Sequence, residues 1–216
     1  HIDTVPVGNL KDWKHDPFHA VVEDGKLYGR GAADMKGAVA AFTVAAHRYA
    51  VENGKNFAGD VYVAGVVHEE CFEGVAARKI SEKVKPDYVV IGEASEMNLK
   101  VGQRGRAEIV VETFGVPAHS ANPEKGVNAV YKMCEAIQAI REIEPPVQDK
   151  LGKGILELTD VKSSPYPGAS VVPEYCRATY DRRLLVGETK ESVLQPIIEK
   201  MEELKKKNPQ FSYKVS

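Results

Sequence analysis

The sequence has no extended apolar segment, and its positive and negative charges nearly balance. Its 216 residues carry 29 Lys plus Arg against 31 Asp plus Glu, a formal net charge of -2, and no segment gathers the basic residues into a stripe. Such a stripe follows a phosphate backbone in nucleic-acid-binding proteins, so nucleic acid is not an expected partner. Apolar runs such as 61–67 stop far short of the roughly 20 residues that cross a bilayer, so no membrane association is expected.

Cysteine is also scarce. Cys71, Cys134 and Cys176 are odd in number, lie far apart and show no C-x-x-C spacing. This pattern favours reduced thiols in a cytoplasmic protein over a disulfide framework. No charged and then apolar leader opens the chain, so export is not expected. The first residue is His1 and not Met, and its opening stretch has the pattern of a strand already under way, which predicts a fragment.

The first half of the chain alternates between short apolar runs and one helical pattern. The run 21–28 predicts a hairpin because Asp24-Gly25 suits a two-residue turn. Residues 36–52 show the apolar spacing of a helix, and 60–67 and 88–91 resemble buried strands. A helix between short apolar strands predicts a parallel sheet with crossovers, and ligands bind such sheets at the carboxyl ends of the strands.

After about residue 100 the pattern changes to long alternating strands and amphipathic helices. The predicted order is β-α-β-β-α-β, a ferredoxin-like two-layer sandwich, with strands at 106–114, 154–161, 169–182 and from 211, and helices at 128–142 and 189–207. We therefore predict an α/β protein with a domain boundary near residues 98–103, which gives domains 1–100 and 101–216.

His1-Ile2-Asp3 is the first candidate for chemistry. Residues i and i+2 of a strand point to the same face, so the Asp3 carboxylate can accept one imidazole proton and aim the other nitrogen of His1 at a metal. The alternative is a strand end that carries a surface His and a surface Asp.

Asp34 follows a run of small residues, 29–33, and directly precedes the predicted helix. Such a loop would deliver a carboxylate to the strand ends, whereas the alternative is an Asp that caps the helix. Neither G-x-G-x-x-G nor G-x-x-x-x-G-K-[ST] fits the segment, so a nucleotide loop is excluded.

Glu69, Glu70 and Glu93 follow the two predicted apolar strands. Carboxylates that converge at one sheet edge repel each other unless a cation neutralises them, although three separately solvated side chains remain the alternative. One His and several carboxylates form an oxygen-rich set that suits zinc, cobalt or manganese in a two-metal centre.

Four motifs follow one another along the first half: His1-Ile2-Asp3-Thr4-Val5-Pro6, Tyr28-Gly29-Arg30-Gly31-Ala32-Ala33-Asp34-Met35-Lys36-Gly37, His68-Glu69-Glu70 and Gly92-Glu93. In order and spacing they closely resemble the zinc aminoacylase and carboxypeptidase family, which includes acetylornithine deacetylase, succinyl-diaminopimelate desuccinylase and glutamate carboxypeptidase. The second half, through 115–120 and 181–183, resembles the inserted lid or dimerisation domain of that family. The runs 163–165, 181–184 and 187–189 are similar to a subgroup of hydrolases linked to selenium metabolism.

The resemblance implies a role for each residue of the first half. Asp34 would bridge two divalent ions, of which one also binds His1 and Glu93 and the other binds Glu70. Glu69 would be the general base, and Asp3 would orient His1. Zinc is the first expectation for both ions, with cobalt or manganese as alternatives.

In the second half the resemblance implies that His119 reaches the site of a partner subunit and stabilises the oxyanion. A surface histidine in a loop is the alternative. Arg183, in preference to Arg182, would grip the substrate carboxylate, and Ser170 stands where several relatives carry Asn, which bears on substrate preference. Asn128 is expected to cap a helix.

The family resemblance also implies that this chain lacks opening strands and a C-terminal return that carries a further metal-binding His. We therefore expect a metal-dependent hydrolase that cleaves the amide bond of an N-acyl amino acid or small peptide and forms a homodimer through the lid. The alternative is a non-catalytic fragment that serves as a dimerisation and metal-binding module.

Overall fold

Two units, His1–Lys100 and Val101–Ser216, make up the chain. The computed structural model describes residues 1–54, 56–72 and 74–216. None of the helices in that described part combines the length and apolar character that crossing a membrane requires.

The first unit begins with a short 3-10 turn at Leu10–Asp12 and the predicted hairpin. Strands β1 (Val21–Glu23) and β2 (Lys26–Tyr28) pair in antiparallel register. The turn between them has φ angles of 50° at Asp24 and 72° at Gly25, which confirms the prediction from the Asp-Gly dipeptide.

Two helices follow in this unit. The first, α1, spans Gly37–Glu52 and confirms the predicted helix, with an irregular helical turn at Ala32–Lys36 before it. The second, α2, spans Val75–Val84 and was not predicted from the sequence.

Two predicted strands are not formed. Residues 60–67 and 88–91 form no strand, and most of their apolar side chains are exposed, with Tyr88 93% exposed. The N–H of Ile2 donates to the carbonyl of Val66 at 2.9 Å, but this contact makes no ladder. A run of Val and Ile indicates a preference for burial, whereas a strand also needs a partner backbone, which a sequence pattern does not specify.

The second unit has the predicted β-α-β-β-α-β order. Its elements are β3 (Gly105–Phe114), α3 (Ala129–Ile140), β4 (Val147–Gln148), β5 (Gly152–Lys153), β6 (Ile155–Ser164), β7 (Tyr175–Leu184), α4 (Lys190–Lys207) and β8 (Ser212–Val215). The four long strands form one antiparallel sheet in the order β6-β7-β3-β8, and β4 and β5 form a separate small hairpin. Strand β7 begins later than predicted, because residues 169–174 form a loop.

One face of this sheet packs on α3 and α4. Alternate residues of β3 and β7, such as Ile109 and Tyr180, are buried against Met133 of α3 and Met201 of α4. The side chains between them, such as that of Asp181, lie on the opposite face, because successive residues of a strand point to opposite sides. This alternation decides which residues of β7 a ligand can reach.

Candidate metal centre

The imidazole of His1 is held at both ring nitrogens. Its Nδ1 lies 2.9 Å from the carbonyl oxygen of Asp3 and its Nε2 lies 3.0 Å from Oδ1 of Asp34. Carboxylate oxygens of Glu69 and Glu93 each lie 3.7 Å from Nε2, and His1 is only 4% exposed. Burial disfavours the charged imidazolium, but the Asp3 carbonyl and the Asp34 carboxylate outweigh it, so the pKa of His1 is raised.

The carboxylate of Asp3 holds the loop that carries two of the candidate residues. It accepts the backbone N–H groups of Glu69 at 3.3 Å and Glu70 at 3.2 Å. Partial burial opposes ionisation, but these two donors prevail and lower the pKa of the Asp3 carboxyl. The His1-Ile2-Asp3 pattern predicts a bond between this carboxylate and the imidazole of His1. The structure instead gives that contact to the Asp3 backbone carbonyl, with the carboxylate 3.6 Å from Nδ1.

Asp34 is presented by a turn that requires glycine. Gly31 has a φ of 80°, and a Cβ there would lie 2.6 Å from Cγ2 of Thr4. Asp34 itself has non-helical angles, φ -121° and ψ 99°, and the residue that caps α1 is Lys36. The alternative that Asp34 caps the helix is therefore wrong, and the side chain is available to the cluster around His1.

Glu93 is positioned by a close contact between its neighbour Gly92 and helix α1. A Cβ on Gly92 would lie 2.7 Å from a ring carbon of Phe42 and 2.8 Å from Cβ of Ala38. Burial first, and then the negative charge of Asp34, raise the pKa of Glu93 above its usual range. Gly92 belongs to the Gly92-Glu93 motif, and a glycine directly before a candidate ligand is a signal of close backbone approach.

The cluster forms two overlapping groups that fit a divalent cation. His1 joins Asp34 and Glu70 in one group and Glu69 and Glu93 in the other, and within each group the ligand atoms lie within 4.8 Å of one another. One imidazole nitrogen with several carboxylate oxygens is a donor set that zinc, cobalt and manganese accept. The structure therefore brings together the residues of the first unit that the sequence singled out.

Two candidates of the second unit, His119 and Ser170, lie on neighbouring loops. His119 forms an isolated antiparallel bridge with Val171, and its Nδ1 accepts the N–H of Ala121 at 3.1 Å. Ser170 has a φ of 55°, and its carbonyl accepts the N–H of Ser120 at 2.9 Å. Bonded at Nδ1, His119 has an orientation defined by its own loop.

Asn128 follows the same loop and caps α3, as the sequence predicted. Its side chain accepts the N–H groups of Val130 and Tyr131.

The two arginines at the end of β7 differ in surroundings. Arg182 is buried, only 4% exposed, and its guanidinium forms an ion pair with Glu188. Arg183 lies on the opposite face, where its Nε donates to Asp181 at 2.7 Å and its side chain is 41% exposed. Arg183 is therefore the one of the two that can meet a ligand.

Arg106 donates to the other carboxylate oxygen of Asp181 at 2.5 Å. Arg106 is not among the candidates that the sequence motifs indicate. The alternation of buried and exposed residues along β3 predicts the sheet face on which Arg106 lies. Its position opposite Arg183 of β7 appears only in the structure.

The sequence profile described as peptidase family M20/M25/M40 matches residues 1–162. The protein YgeY of Escherichia coli (strain K12) is 34% identical over 201 residues, which cover 91% of this chain and 49% of that protein. Succinyl-diaminopimelate desuccinylase of Marinobacter nauticus is 32% identical over 209 residues, or 92% and 55% of the two chains. This chain thus spans about half the length of the curated relatives it matches.

Solved structures share the fold. Human carnosine dipeptidase 1 matches with a TM-score of 0.63 at 20% identity, over 99% of this chain and 59% of that one. The dipeptidase Dug1p of Saccharomyces cerevisiae matches with a TM-score of 0.66 at 14% identity, over 99% and 58%. The resemblance that the four motifs indicated is confirmed: this chain belongs to peptidase family M20/M25/M40.

Proposed function

We propose that this chain carries the metal centre of a two-metal amidohydrolase that cleaves the amide bond of an N-acyl amino acid or a small peptide. The observation that carries the proposal is the convergence of four carboxylates, those of Asp34, Glu69, Glu70 and Glu93, on the buried imidazole of His1. Carboxylates this close repel one another, and a divalent cation relieves that repulsion. The family membership supports a hydrolase of the amidohydrolase and peptidase type.

His1, Asp34, Glu70 and Glu93 are the proposed ligands, with Asp34 shared between the two ions. Zinc is the first candidate, and cobalt or manganese are alternatives because these ions overlap in ligand preference. When bound, such a pair lowers the pKa of a water and polarises a carbonyl.

Glu69 is the proposed general base. Its backbone is fixed by Asp3, and its carboxylate is 31% exposed, so substrate and water can reach it. The oxygen of a water attacks the carbonyl carbon of the substrate while Glu69 takes the proton. When the C–N bond breaks, Glu69 returns that proton to the leaving amine nitrogen.

In the second unit we propose a substrate-binding role for three residues. Arg183 is suited to a substrate carboxylate because its planar guanidinium gives two parallel N–H donors. Ser170 would contact the group next to it, and His119 would donate to the oxyanion. We further propose that the second unit is the lid of the enzyme and pairs two copies of the chain, so that His119 acts at the site of the other copy.

The test is to strip the protein of metal, refill it with Zn²⁺ and measure amine release from a panel of N-acyl amino acids and dipeptides. The Glu69→Gln variant is the control, because it keeps the four proposed ligands and removes the proposed base. Amine release that is lost on stripping and restored by Zn²⁺ supports the hydrolase and shows the substrate class. Two bound ions without any amine release favour the alternative of a metal-binding and dimerisation module, and a protein that binds no Zn²⁺ contradicts both.

A further inference from the structure

A stacked pair of side chains joins the start of the chain to the loop that carries Asp34. The guanidinium carbon of Arg30 lies 4.9 Å from the centre of the Trp13 ring, a distance at which a cation and an aromatic face attract each other. The Nε of Arg30 is buried and has no hydrogen-bond partner among the described residues. Burying such a donor is unfavourable, and the contact with the Trp13 ring is a favourable one that the same guanidinium makes.

Trp13 is tied to the segment that begins at His1. Its indole N–H donates to the carbonyl of Val7 at 2.8 Å, and its backbone N–H donates to Leu10 at 3.3 Å. These two bonds hold Trp13 and the turn at Leu10–Asp12 next to Val7.

Arg30 is tied to the loop that presents Asp34. Its backbone N–H donates to the carbonyl of Pro17 at 2.8 Å. The next residue, Gly31, packs so closely on Thr4 that no Cβ fits between them. The main chain beside Arg30 thus lies against a residue that directly follows Asp3.

We propose that Arg30 is a positioning residue for the metal centre. Stacked on Trp13, its guanidinium fixes the segment that carries His1 against the loop that carries Asp34. The inference rests on the proposed function in that it takes His1 and Asp34 as ligands. Lysine at this position would keep the charge but lose the planar group that stacks, so Arg30→Lys separates the two contributions.

The experiment measures the affinity of the full chain for Zn²⁺ by calorimetric titration. We expect Arg30→Lys and Trp13→Leu each to weaken Zn²⁺ binding about tenfold, the lower end of the loss that follows when a residue that orients a metal ligand is replaced. The double variant should lose no more than either single one, because both remove the same contact. Trp13→Phe keeps an aromatic face and should lose less than Trp13→Leu.

Fluorescence gives a second, independent readout, because Trp13 is the one tryptophan in the sequence. Arg30→Lys should shift its emission. The matched control is Arg48→Lys, which changes an exposed arginine on α1 that pairs with Glu52 at 3.8 Å, and it should change neither the emission nor Zn²⁺ binding.

Unchanged Zn²⁺ affinity in Arg30→Lys overturns this inference alone, even if the free energy of unfolding falls. Additive losses in the double variant overturn it as well. A wild-type chain that binds no Zn²⁺ overturns the proposed function together with the inference, so the two failures are distinguishable.

Discussion

Nε2 of His1 lies 3.0 Å from Oδ1 of Asp34, although 33 positions separate them in the sequence. The imidazole is buried, whereas the Asp34 side chain is 58% exposed. The Asp34 carboxylate is therefore accessible to a ligand, while burial and the bond to the Asp3 carbonyl hold the imidazole in place. The turn at Gly31 lies against Thr4, so the loop that carries Asp34 is next to the start of the chain.

Replacement of Glu69 by Gln should separate catalysis from metal binding. If Glu69 is the base, turnover falls by about 10²- to 10⁴-fold, the usual contribution of a positioned acid or base, while Zn²⁺ affinity stays close to that of the wild type. Amine release and calorimetric titration measure the two quantities. Glu82→Gln, at an exposed position on α2, is the control; wild-type turnover in Glu69→Gln would reassign the base.

Replacement of Asp3 by Asn should weaken Zn²⁺ binding about tenfold without removing any proposed ligand. The neutral amide is a poorer acceptor for the N–H groups of Glu69 and Glu70, so the loop that carries them becomes less well fixed. Asp24→Asn, in the turn between β1 and β2, makes the same chemical change away from the cluster and should have no effect. Equal Zn²⁺ affinity in Asp3→Asn and the wild type would mean that the Asp3 carboxylate has no part in holding the loop.

Replacement of Gly92 by Ala should lower the free energy of unfolding by about 1–3 kcal/mol, the usual range for overpacking. The added methyl group would meet Phe42 and Ala38 of α1 and push Glu93 away from His1, so Zn²⁺ affinity should fall too. Gly102→Ala is the control, because a Cβ at Gly102 meets nothing within 4 Å. Urea unfolding followed by circular dichroism tests this, and a Gly92→Ala variant as stable as Gly102→Ala would show that the helix yields.

A pH-dependent contribution to stability should come from Glu112 in β3. The Tyr175 hydroxyl donates to its carboxylate at 2.7 Å, and this bond, followed by the charge of Lys214, lowers the pKa of Glu112 from its ordinary value of 4.5. A lowered carboxyl pKa stabilises the fold above the unfolded value, near pH 4.5, and this contribution is lost as the pH falls through the folded value.

Tyr175→Phe should therefore cost about 1.5–3 kcal/mol at pH 7, as expected for a hydrogen bond to a charged group, and less near pH 3. Urea unfolding at the two pH values measures the difference. Tyr131→Phe changes a tyrosine that is 69% exposed and should be neutral at both. A Tyr175→Phe deficit that is the same at pH 7 and pH 3 would assign the loss to packing and not to the charge of Glu112.

The second unit could be predicted element by element, because alternation and helical spacing depend on residues that are close in the chain. The two-residue alternation of the strands predicts that side chains such as those of Ile109 and Tyr180 are buried. It also predicts that Arg182 and Arg183 lie on opposite faces of the sheet. The cap at Asn128 follows from its side chain, which satisfies N–H groups that the first turn leaves unpaired.

The motifs predict the kinds of side chain at the cluster, their order along the chain and the family to which the chain belongs. They do not predict that the carbonyl of Asp3 contacts His1 while its carboxylate accepts the N–H groups of Glu69 and Glu70, or that residues 60–67 form no ladder. The spacing of apolar residues predicts whether a segment is a helix or a strand and which of its faces is buried, because it depends only on residues that are close in the chain. Which atom of a residue meets a group more than 60 positions away depends on how separate segments pack, and no local pattern encodes that distance.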